Sequence, residues 1–307
     1  MIQSSLVNYK TFGRCLTLSN GSIEVYVTLD IGPRIIKCNL VGRENLMFNN
    51  DEKDIGRDVS SAFGDGEYWY IYGGHRMWVS PECLPLSYYP DNHPVAYELT
   101  DNGARFSPEV QKVTGYKYDW ELVLADGKPE IDIIHKLTNA SAQPVKGAIW
   151  CLSVMDTDGL CIIPQPKEDT GLLANRALAI WPYADMSDSR VFWGEMNIGL
   201  KQNPAISRKF KLGLTNTAGK LAYINHNQAL VKSYVPCHGT AEYPDYGVSS
   251  EVFTNMYFLE VESLSPLATL APGASVTHTE HWTLFDGVEM PTLDNDSLNR
   301  TAEKLGL

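Results

Sequence analysis

The segment Ile23-Glu24-Val25-Tyr26-Val27-Thr28-Leu29 decides the fold class, because every odd position in it is apolar. An alternation with a period of two is typical of a strand that has one buried face and one wetter face. The same alternation continues at Ile131-Asp132-Ile133 and at 276–279. Antiparallel sheets supply such half-buried faces. The sequence therefore predicts an all-β protein with mainly antiparallel sheets.

Turn signals and helical patterns set the expected organisation of the chain. Asp126-Gly127, between 120–124 and 131–137, predicts a hairpin. Helical patterns are confined to a few short segments, and we expect one helix over 170–180 and another over 294–307, which starts with an Asn/Asp-rich cap. No linker, repeat or low-complexity run divides the 307 residues. We therefore expect a single domain, 1–307, with two large sheets and a few short helices.

The composition disfavours several classes of protein. The chain has 25 Lys+Arg and 37 Asp+Glu, a formal charge of −12, which argues against binding to nucleic acid or to anionic membranes. No segment approaches the roughly 18 apolar residues of a membrane helix. The N-terminus shows neither the cationic nor the apolar region of a secretory signal. We therefore expect a cytoplasmic protein whose six cysteines are reduced thiols.

The segment 67–82 is the strongest local candidate for a site, since it holds five aromatic residues within sixteen positions. Arg76 offers a planar set of donors that suits paired hydroxyls or a carboxylate. Rings such as those of Tyr72 and Trp78 suit the mixed polar and apolar surface of a sugar. The alternative is a strand and turn with core aromatics and one exposed ion pair between Arg76 and Glu82.

A second candidate lies at 257–264, where Glu260 and Glu262 share one face of the predicted strand. Their backbones are roughly 6–7 Å apart by the rise of a strand. Repulsion between the two charges would raise one pKa and leave a proton available for acid–base chemistry. Asp245 lies just upstream and adds a polar group near the same element. The same pattern also fits the wetter face of a half-buried strand.

Motifs for metal, phosphate and hydrolase sites are absent from the sequence. It contains no His-Glu-x-x-His, no Cys-x-x-Cys, no EF-hand loop, no phosphate-binding loop and no Gly-x-Ser-x-Gly. His135 is in phase with the apolar residues of its predicted strand and is expected to be a core histidine, whereas His93 and His238 lie in predicted loops. We therefore expect acid–base or binding chemistry on sheet faces and loops, with no metal and no cofactor.

Several motifs together resemble the galactose mutarotase (aldose 1-epimerase) superfamily, in a divergent branch of short bacterial proteins. The run 253–267 contains Glu260, and it is followed by Leu270-Ala271-Pro272-Gly273 and by an aromatic strand at 279–285. Looser matches occur earlier and in the family's order, at Gly32-Pro33-Arg34 and in the Gly-Gly-x-Arg segment 73–76. The resemblance thus extends over nearly the whole chain.

This resemblance implies a β-supersandwich with a sugar-binding cleft and no cofactor. In the family, a glutamate takes the proton of the anomeric hydroxyl while a histidine protonates the ring oxygen, so that the ring opens and recloses as the other anomer. Glu260 stands where that glutamate is expected, and Arg76 is similar to the family's sugar-binding arginine. The segment 148–156, where the family places the histidine, contains none.

The resemblance leaves two functions open, both with a small-molecule sugar or sugar derivative as the partner. The favoured one is an aldose 1-epimerase-like isomerase in which Glu260 is the catalytic base and His75 the catalytic acid, with His93 and His238 as alternative acids. The other is a carbohydrate-binding protein without catalysis, which would explain the missing histidine. The expected substrate-binding residues are Arg76, Glu82, Trp78, Tyr72, His238, Glu262 and Asp245. The sequence specifies neither the sugar nor the oligomeric state.

Overall fold

A computed structural model describes residues 2–237 and 241–307, and the described residues form 23 strands. The strands of the first half are β1 (Gln3–Asn8), β2 (Arg14–Ser19), β3 (Ile23–Thr28), β4 (Ile35–Leu40), β5 (Gly56–Asp58), β6 (Tyr68–Tyr70), β7 (Gly74–Ser80), β8 (Ala96–Thr100), β9 (Gly103–Ser107), β10 (Tyr116–Leu124), β11 (Glu130–Asn139) and β12 (Val145–Met155). Those of the second half are β13 (Leu160–Pro164), β14 (Leu178–Ile180), β15 (Val191–Trp193), β16 (Asn197–Lys201), β17 (Phe210–Leu214), β18 (Lys220–Asn225), β19 (Gln228–Tyr234), β20 (Ser250–Thr254), β21 (Leu259–Leu264), β22 (Ala268–Leu270) and β23 (Ser275–Asp286). The helices in the same residues are a 3-10 turn (Lys10–Phe12), α1 (Ser60–Phe63), α2 (Pro244–Gly247) and α3 (Asn295–Leu305).

Two large antiparallel sheets make up most of the described chain. The larger sheet has eleven strands in the order β1-β2-β3-β4-β7-β12-β21-β20-β17-β14, with β22 paired to β12. The smaller sheet has ten strands in the order β15-β16-β13-β18-β19-β23-β11-β10-β9-β8, and β5 and β6 form a separate ribbon. The predicted all-β architecture of two large, mainly antiparallel sheets with short helices is confirmed.

The main core lies between the two sheets and is built by alternation along each strand. In β3, Ile23, Val25 and Val27 are fully buried in this core. The hairpin predicted at Asp126-Gly127 joins β10 to β11, with Leu124 opposite Ile131. Period-two patterning therefore specified which side chains face the second sheet.

The C-terminal helix was predicted correctly and packs on the outer face of the smaller sheet. Asp294 caps α3 by accepting a hydrogen bond from the backbone N–H of Ser297 at 2.8 Å. Leu298, Ala302 and Leu305 recur on one side of α3 and pack against that sheet. Within the described residues, the structure contains no helix with the length and apolarity needed to span a membrane.

The helix predicted over 170–180 is wrong. Gly171 has a φ of +68°, which breaks a helical path, and the Asn175 amide donates to the backbone oxygen of Glu168 at 3.0 Å. Residues 178–180 instead form β14, which pairs with β17 at the edge of the larger sheet. Side-chain bonds to the local backbone and an edge-strand pairing therefore replace the helical hydrogen bonds.

The central strands of the larger sheet are buried on both faces. All residues of β7 and β21 are buried, as is most of β12. Their inner side chains face the second sheet, whereas their outer side chains pack under the segment 48–71, which contributes Phe48, Val59 and Trp69. Because one face of these strands is covered by a second sheet and the other by an irregular segment, polar groups on them lie in two separate environments.

Candidate functional site

Arg76 and Glu260 are brought together on the outer face of the larger sheet. β7 pairs with β12, and β12 pairs with β21, so that Arg76 lies opposite Leu152 and Glu260 lies opposite Val154. The guanidinium Nη2 of Arg76 donates to Oε1 of Glu260 at 3.1 Å. The two side chains are only 4% and 9% exposed. The pair therefore forms a nearly desolvated ion pair across two strands.

A cleft of about 370 Å³ opens over this pair, and we use the term "the cleft" for this space. Its lining includes Arg76, Trp78, Trp150, Trp181, Lys211 and Glu260. The guanidinium carbon of Arg76 lies 4.4 Å from the centre of the Trp78 ring, and the Lys211 ammonium lies 4.5 Å from the Trp150 ring and 4.7 Å from the Trp181 ring. The aromatic rings thus hold cations in place.

Further charged groups lie beneath the cleft around Lys211. Its ammonium nitrogen is 2.6 Å from Glu251 Oε2 and 3.1 Å from Glu262 Oε2. The indole N–H of Trp150 also donates to Glu262 Oε2, at 2.7 Å. Burial alone would lower the pKa of Lys211, but the charges of Glu251 and Glu262 outweigh it and raise that pKa. Lys211 is therefore held as a cation and is a weak proton donor.

The carboxyl group of Glu260 has altered proton affinity. Burial raises its pKa above the usual value, the charge of Arg76 opposes that rise, and the charge of Glu262 adds to it. Repulsion from Glu262 was expected from the sequence, but it is a smaller cause than burial. Two other groups of Arg76, Nε and Nη1, have no hydrogen-bond partner among the described residues. The cleft therefore borders a carboxylate and a guanidinium that has two buried donor atoms without a partner among the described residues.

His75, expected to be the catalytic acid, does not reach the cleft. It is fully buried and points between the two sheets, where its Nδ1 meets Ser153 Oγ at 2.8 Å and its Nε2 meets His135 Nε2 at 2.8 Å. Burial lowers its pKa well below the usual value. Neighbouring strand residues project to opposite faces, so the side chain of Arg76 enters the cleft while that of His75 leaves it. His135 is a core histidine, as predicted.

Of the remaining residues that were expected to bind substrate, some line the cleft and others lie elsewhere. Trp78 and Glu82 line the cleft, and the hydroxyl of Tyr88 donates a hydrogen bond to Glu82. Tyr72 is buried beside the guanidinium of Arg34 and donates to Asn92 at 2.7 Å, outside the cleft lining.

Three more residues that were expected at the site, Asp245, His93 and His238, do not line the cleft in the described part of the chain. Asp245 lies in the α2 turn and is not part of the cleft lining, but its charge adds to the rise in the pKa of Glu251. His93 lines a smaller cavity of about 50 Å³ beside Arg76. His238 lies outside the described residues, and among those that are described no histidine lines the cleft.

Sequence reasoning missed Lys211, Trp150 and Trp181. A usable signal existed for Lys211, which stands between Phe210 and Leu212 in a strand whose flanking residues face the core. A lysine on the opposite face of such a strand needs a carboxylate partner when it is buried. Trp150 lies in the segment 148–156, where the resembled family places its catalytic histidine. Its hydrogen bond to Glu262 could not be predicted, because it depends on which strands are neighbours in the sheet.

No protein-family model matches the sequence, and no curated protein matches it at a significant level. Solved structures do match its fold. A candidate aldose 1-epimerase from Klebsiella pneumoniae aligns over 99% of this chain and 86% of its own length, at 13% identity and a TM-score of 0.62. A galactose mutarotase-like protein from Lactobacillus casei aligns over 88% of this chain and 100% of its own, at 9% identity and a TM-score of 0.56.

A third match differs in length. A TPR-domain-containing protein from Parabacteroides distasonis aligns over 91% of this chain and 49% of its own, at 13% identity and a TM-score of 0.61. This chain therefore spans about half the length of that protein. At such identities the likeness establishes the architecture, and the chemistry has to be argued from the residues of this chain.

Proposed function

Because the chain has the galactose mutarotase-like fold, we propose that the cleft binds a carbohydrate through Arg76 and Glu260. The observation that carries the proposal is the buried Arg76–Glu260 pair, which borders the cleft and leaves Nε and Nη1 of Arg76 without partners among the described residues. A sugar hydroxyl both donates and accepts, so one hydroxyl donates to the carboxylate while its neighbour accepts from the guanidinium.

The dimensions and lining of the cleft suit one sugar residue. Its volume of about 370 Å³ lies in the lower part of the usual range for small-molecule sites. Trp78 and Trp150 offer apolar edges between the charged groups, which matches the alternating apolar and hydroxyl-bearing surface of a pyranose. Lys211 is held by two carboxylates and acts as a fixed donor rather than as a proton source.

Interconversion of sugar anomers is the second candidate, and the raised pKa of Glu260 favours it. A carboxylate with a raised pKa is a stronger base, and it would take the proton of the anomeric hydroxyl as the bond between the anomeric carbon and the ring oxygen breaks. Among the groups that line the cleft, the hydroxyl of Tyr88 and the ammonium of Lys211 are two that could supply the proton that the ring oxygen receives. Lys211 is a weak donor, and burial and the charge of Glu82 also raise the pKa of Tyr88, so neither group is a ready proton source and binding without catalysis is favoured.

Nuclear magnetic resonance with a panel of free hexoses, pentoses and uronic acids tests both candidates. Shift changes or line broadening of at least one sugar, without faster anomeric exchange than in buffer, are the expected result. The Glu260→Gln variant should bind that sugar at least about tenfold more weakly, a loss of about 1.4 kcal/mol. Acceleration of exchange by the wild type that disappears in Glu260→Gln would replace binding by epimerisation as the function.

Glu121→Gln is a matched control for this substitution. Glu121 accepts from Arg105 at 3.1 Å, the same distance as in the cleft pair, but lies on the surface of the smaller sheet. It should leave both binding and exchange unchanged. Absence of binding and of exchange with every sugar of the panel would overturn the carbohydrate proposal.

A further inference from the structure

Three potential metal ligands converge in the space between the two sheets. One donor atom each of His75, His135 and Cys151 lie within 4.8 Å of one another, and all three side chains are fully buried. His75 and Cys151 come from β7 and β12 of the larger sheet, whereas His135 comes from β11 of the smaller one. The three atoms are therefore contributed from both sides of the core.

The Nδ1 atoms of the two imidazoles, which face away from the other ring, each have a hydrogen-bond partner. Nδ1 of His135 meets the backbone oxygen of His278 at 3.0 Å, and Nδ1 of His75 meets Ser153 Oγ at 2.8 Å. Both Nε2 atoms then point at each other, 2.8 Å apart. Metal-binding histidines characteristically hold their second nitrogen in this way, to a carbonyl or another polar partner, while the first nitrogen faces the ion.

We propose that His75, His135 and Cys151 form a site for a thiophilic transition-metal ion that links the two sheets. When the ion binds, the Cys151 thiol loses its proton to solvent and its sulfur becomes the anionic ligand. His75 moves its ring proton from Nε2 to Nδ1, which then donates to Ser153, and its Nε2 lone pair faces the ion. His135 keeps its proton on Nδ1. Because the side chains are closed off in the folded chain, the ion is acquired as the chain folds.

A second possible set, Cys151, His278 and Glu280, shares the same cysteine but has committed donor atoms. His278 Nε2 donates to Ser263 at 2.8 Å, and Glu280 Oε1 is 3.0 Å from the Lys232 ammonium. These atoms are therefore engaged with partners outside the set, whereas the Nε2 atoms of His75 and His135 are hydrogen-bonded to each other, within their own set.

Charge balance favours a monovalent ion at this site. Lys232 and Glu280, both fully buried, already neutralise each other next to it. Cu⁺ with the Cys151 thiolate adds no net charge to the core, whereas Zn²⁺ with the same thiolate adds one positive charge beside Lys232. Two imidazoles and a thiolate are ligands that both ions accept. We therefore expect copper to be preferred over zinc.

Elemental analysis of protein purified without chelators, and of protein refolded with Cu⁺ under reducing conditions or with Zn²⁺, tests the site. One ion per chain is expected in the wild type, with a higher melting temperature than in the metal-free form. Cys151→Ser and His135→Gln should lose the ion. Cys161→Ser is the matched control, because Cys161 is also fully buried between the sheets and should leave metal binding intact.

A spectroscopic measurement on the wild type tests the site even if the variants do not fold. The wild type refolded with Co²⁺ should show a thiolate-to-cobalt charge-transfer band, since Cys151 supplies sulfur. No ion in the purified protein and no band or uptake after refolding would overturn the site, and the facing imidazoles would then be a hydrogen bond alone. Retention of the ion by both Cys151→Ser and His135→Gln would also overturn it. Tighter uptake of Zn²⁺ than of Cu⁺ would uphold the site and overturn the preference for copper.

Discussion

The outer face of the larger sheet and the inner face of the smaller sheet each carry a cluster of a glutamate, a lysine and a tryptophan, in different surroundings. On the outer face, Glu262 accepts from the Trp150 indole at 2.7 Å and lies 3.1 Å from the Lys211 ammonium, which sits over the Trp150 ring. This outer cluster forms the floor of the cleft. It also includes a second carboxylate, that of Glu251, 2.6 Å from the same ammonium.

The inner cluster repeats the arrangement between the sheets. Glu280 accepts from the Trp282 indole at 2.9 Å and lies 3.0 Å from the Lys232 ammonium, which sits 5.6 Å from the centre of the Trp282 ring. Ser263 donates a further hydrogen bond to Glu280. Lys232 and Glu280 are fully enclosed, whereas the outer cluster borders a cleft.

The difference teaches that the same three types of side chain can form a closed, neutral cluster or the floor of an open cleft, according to what lies next to them. Inside, the one carboxylate is matched by one lysine and by two further hydrogen bonds, so the cluster is neutral and closed. Outside, the buried charged groups of the cleft and its floor are three carboxylates, those of Glu251, Glu260 and Glu262, against the two cations Arg76 and Lys211. That imbalance leaves polar capacity for a ligand.

Replacement of the lysine in each cluster should have the largest effect and should differ between them. Lys232→Met leaves the Glu280 carboxylate buried without a cation, so we expect a loss of about 3–5 kcal/mol in the free energy of unfolding. Lys211→Met should cost less, because Glu251 can take up a proton and water can enter from the cleft. Urea denaturation at pH 7 measures both. Equal losses in the free energy of unfolding for Lys232→Met and Lys211→Met would show that the outer carboxylates are as dependent on their lysine as the enclosed Glu280.

Arg76→Lys should weaken carbohydrate binding while leaving the fold largely intact. A lysine keeps a positive charge near Glu260 but lacks the planar set of donors, so the unused bonds to sugar hydroxyls are lost. We expect a loss of about 1.5–3 kcal/mol in the binding free energy, typical of hydrogen bonds to charged groups. Titration calorimetry with the sugar identified by magnetic resonance checks it. Arg105→Lys, on the surface of the smaller sheet, is the control and should not change the affinity. An unchanged affinity in Arg76→Lys would show that Arg76 does not contact the sugar.

A smaller and graded effect should come from pH, through Glu251. Burial raises the pKa of Glu251 well above its usual value of 4.5, against the opposing charge of Lys211. Its contribution to stability is therefore present below pH 4.5 and is lost as pH rises towards the folded-state pKa. Relative to the wild type, Glu251→Gln should gain up to about 1.4 kcal/mol per pH unit above pH 4.5.

Urea denaturation at several pH values from 4.5 upward measures this gain. Glu121→Gln, which removes an exposed carboxylate, should give a curve parallel to that of the wild type. If the curve of Glu251→Gln is also parallel, the carboxyl group of Glu251 does not carry the unfavourable charge assigned to it.

The sequence was informative wherever one face of a strand is buried and the other is not. The alternation in β3 and the hairpin between β10 and β11 followed from period two alone. On β21, the shared face of Glu260 and Glu262 followed from the same rule. The expectation of two large sheets also came from the strand and turn pattern, and the resemblance to mutarotases added the β-supersandwich, because its motifs occur in order along the chain.

The remainder of the site depends on which strands are neighbours, and local pattern does not contain that information. Arg76 and Glu260 are 184 positions apart and meet only because β12 lies between their strands. His75 was expected to be the catalytic acid, but it is adjacent to Arg76 on β7 and therefore projects to the opposite face, between the sheets. Lys211 was missed because its partners come from β20 and β21, which follow it by about forty residues or more.

The full burial of β7 on both faces also restricts how the protein can change. A shift of one position in this strand would exchange the two sides, placing Arg76 between the sheets and His75 in the cleft. A single-residue insertion or deletion in β7 would thus remove Arg76 from the outer site and His75 from its contacts with Ser153 and His135 at the same time. Point substitutions are therefore the route by which evolution or an engineer can alter one without the other, and length variation in this family of folds should fall outside β7.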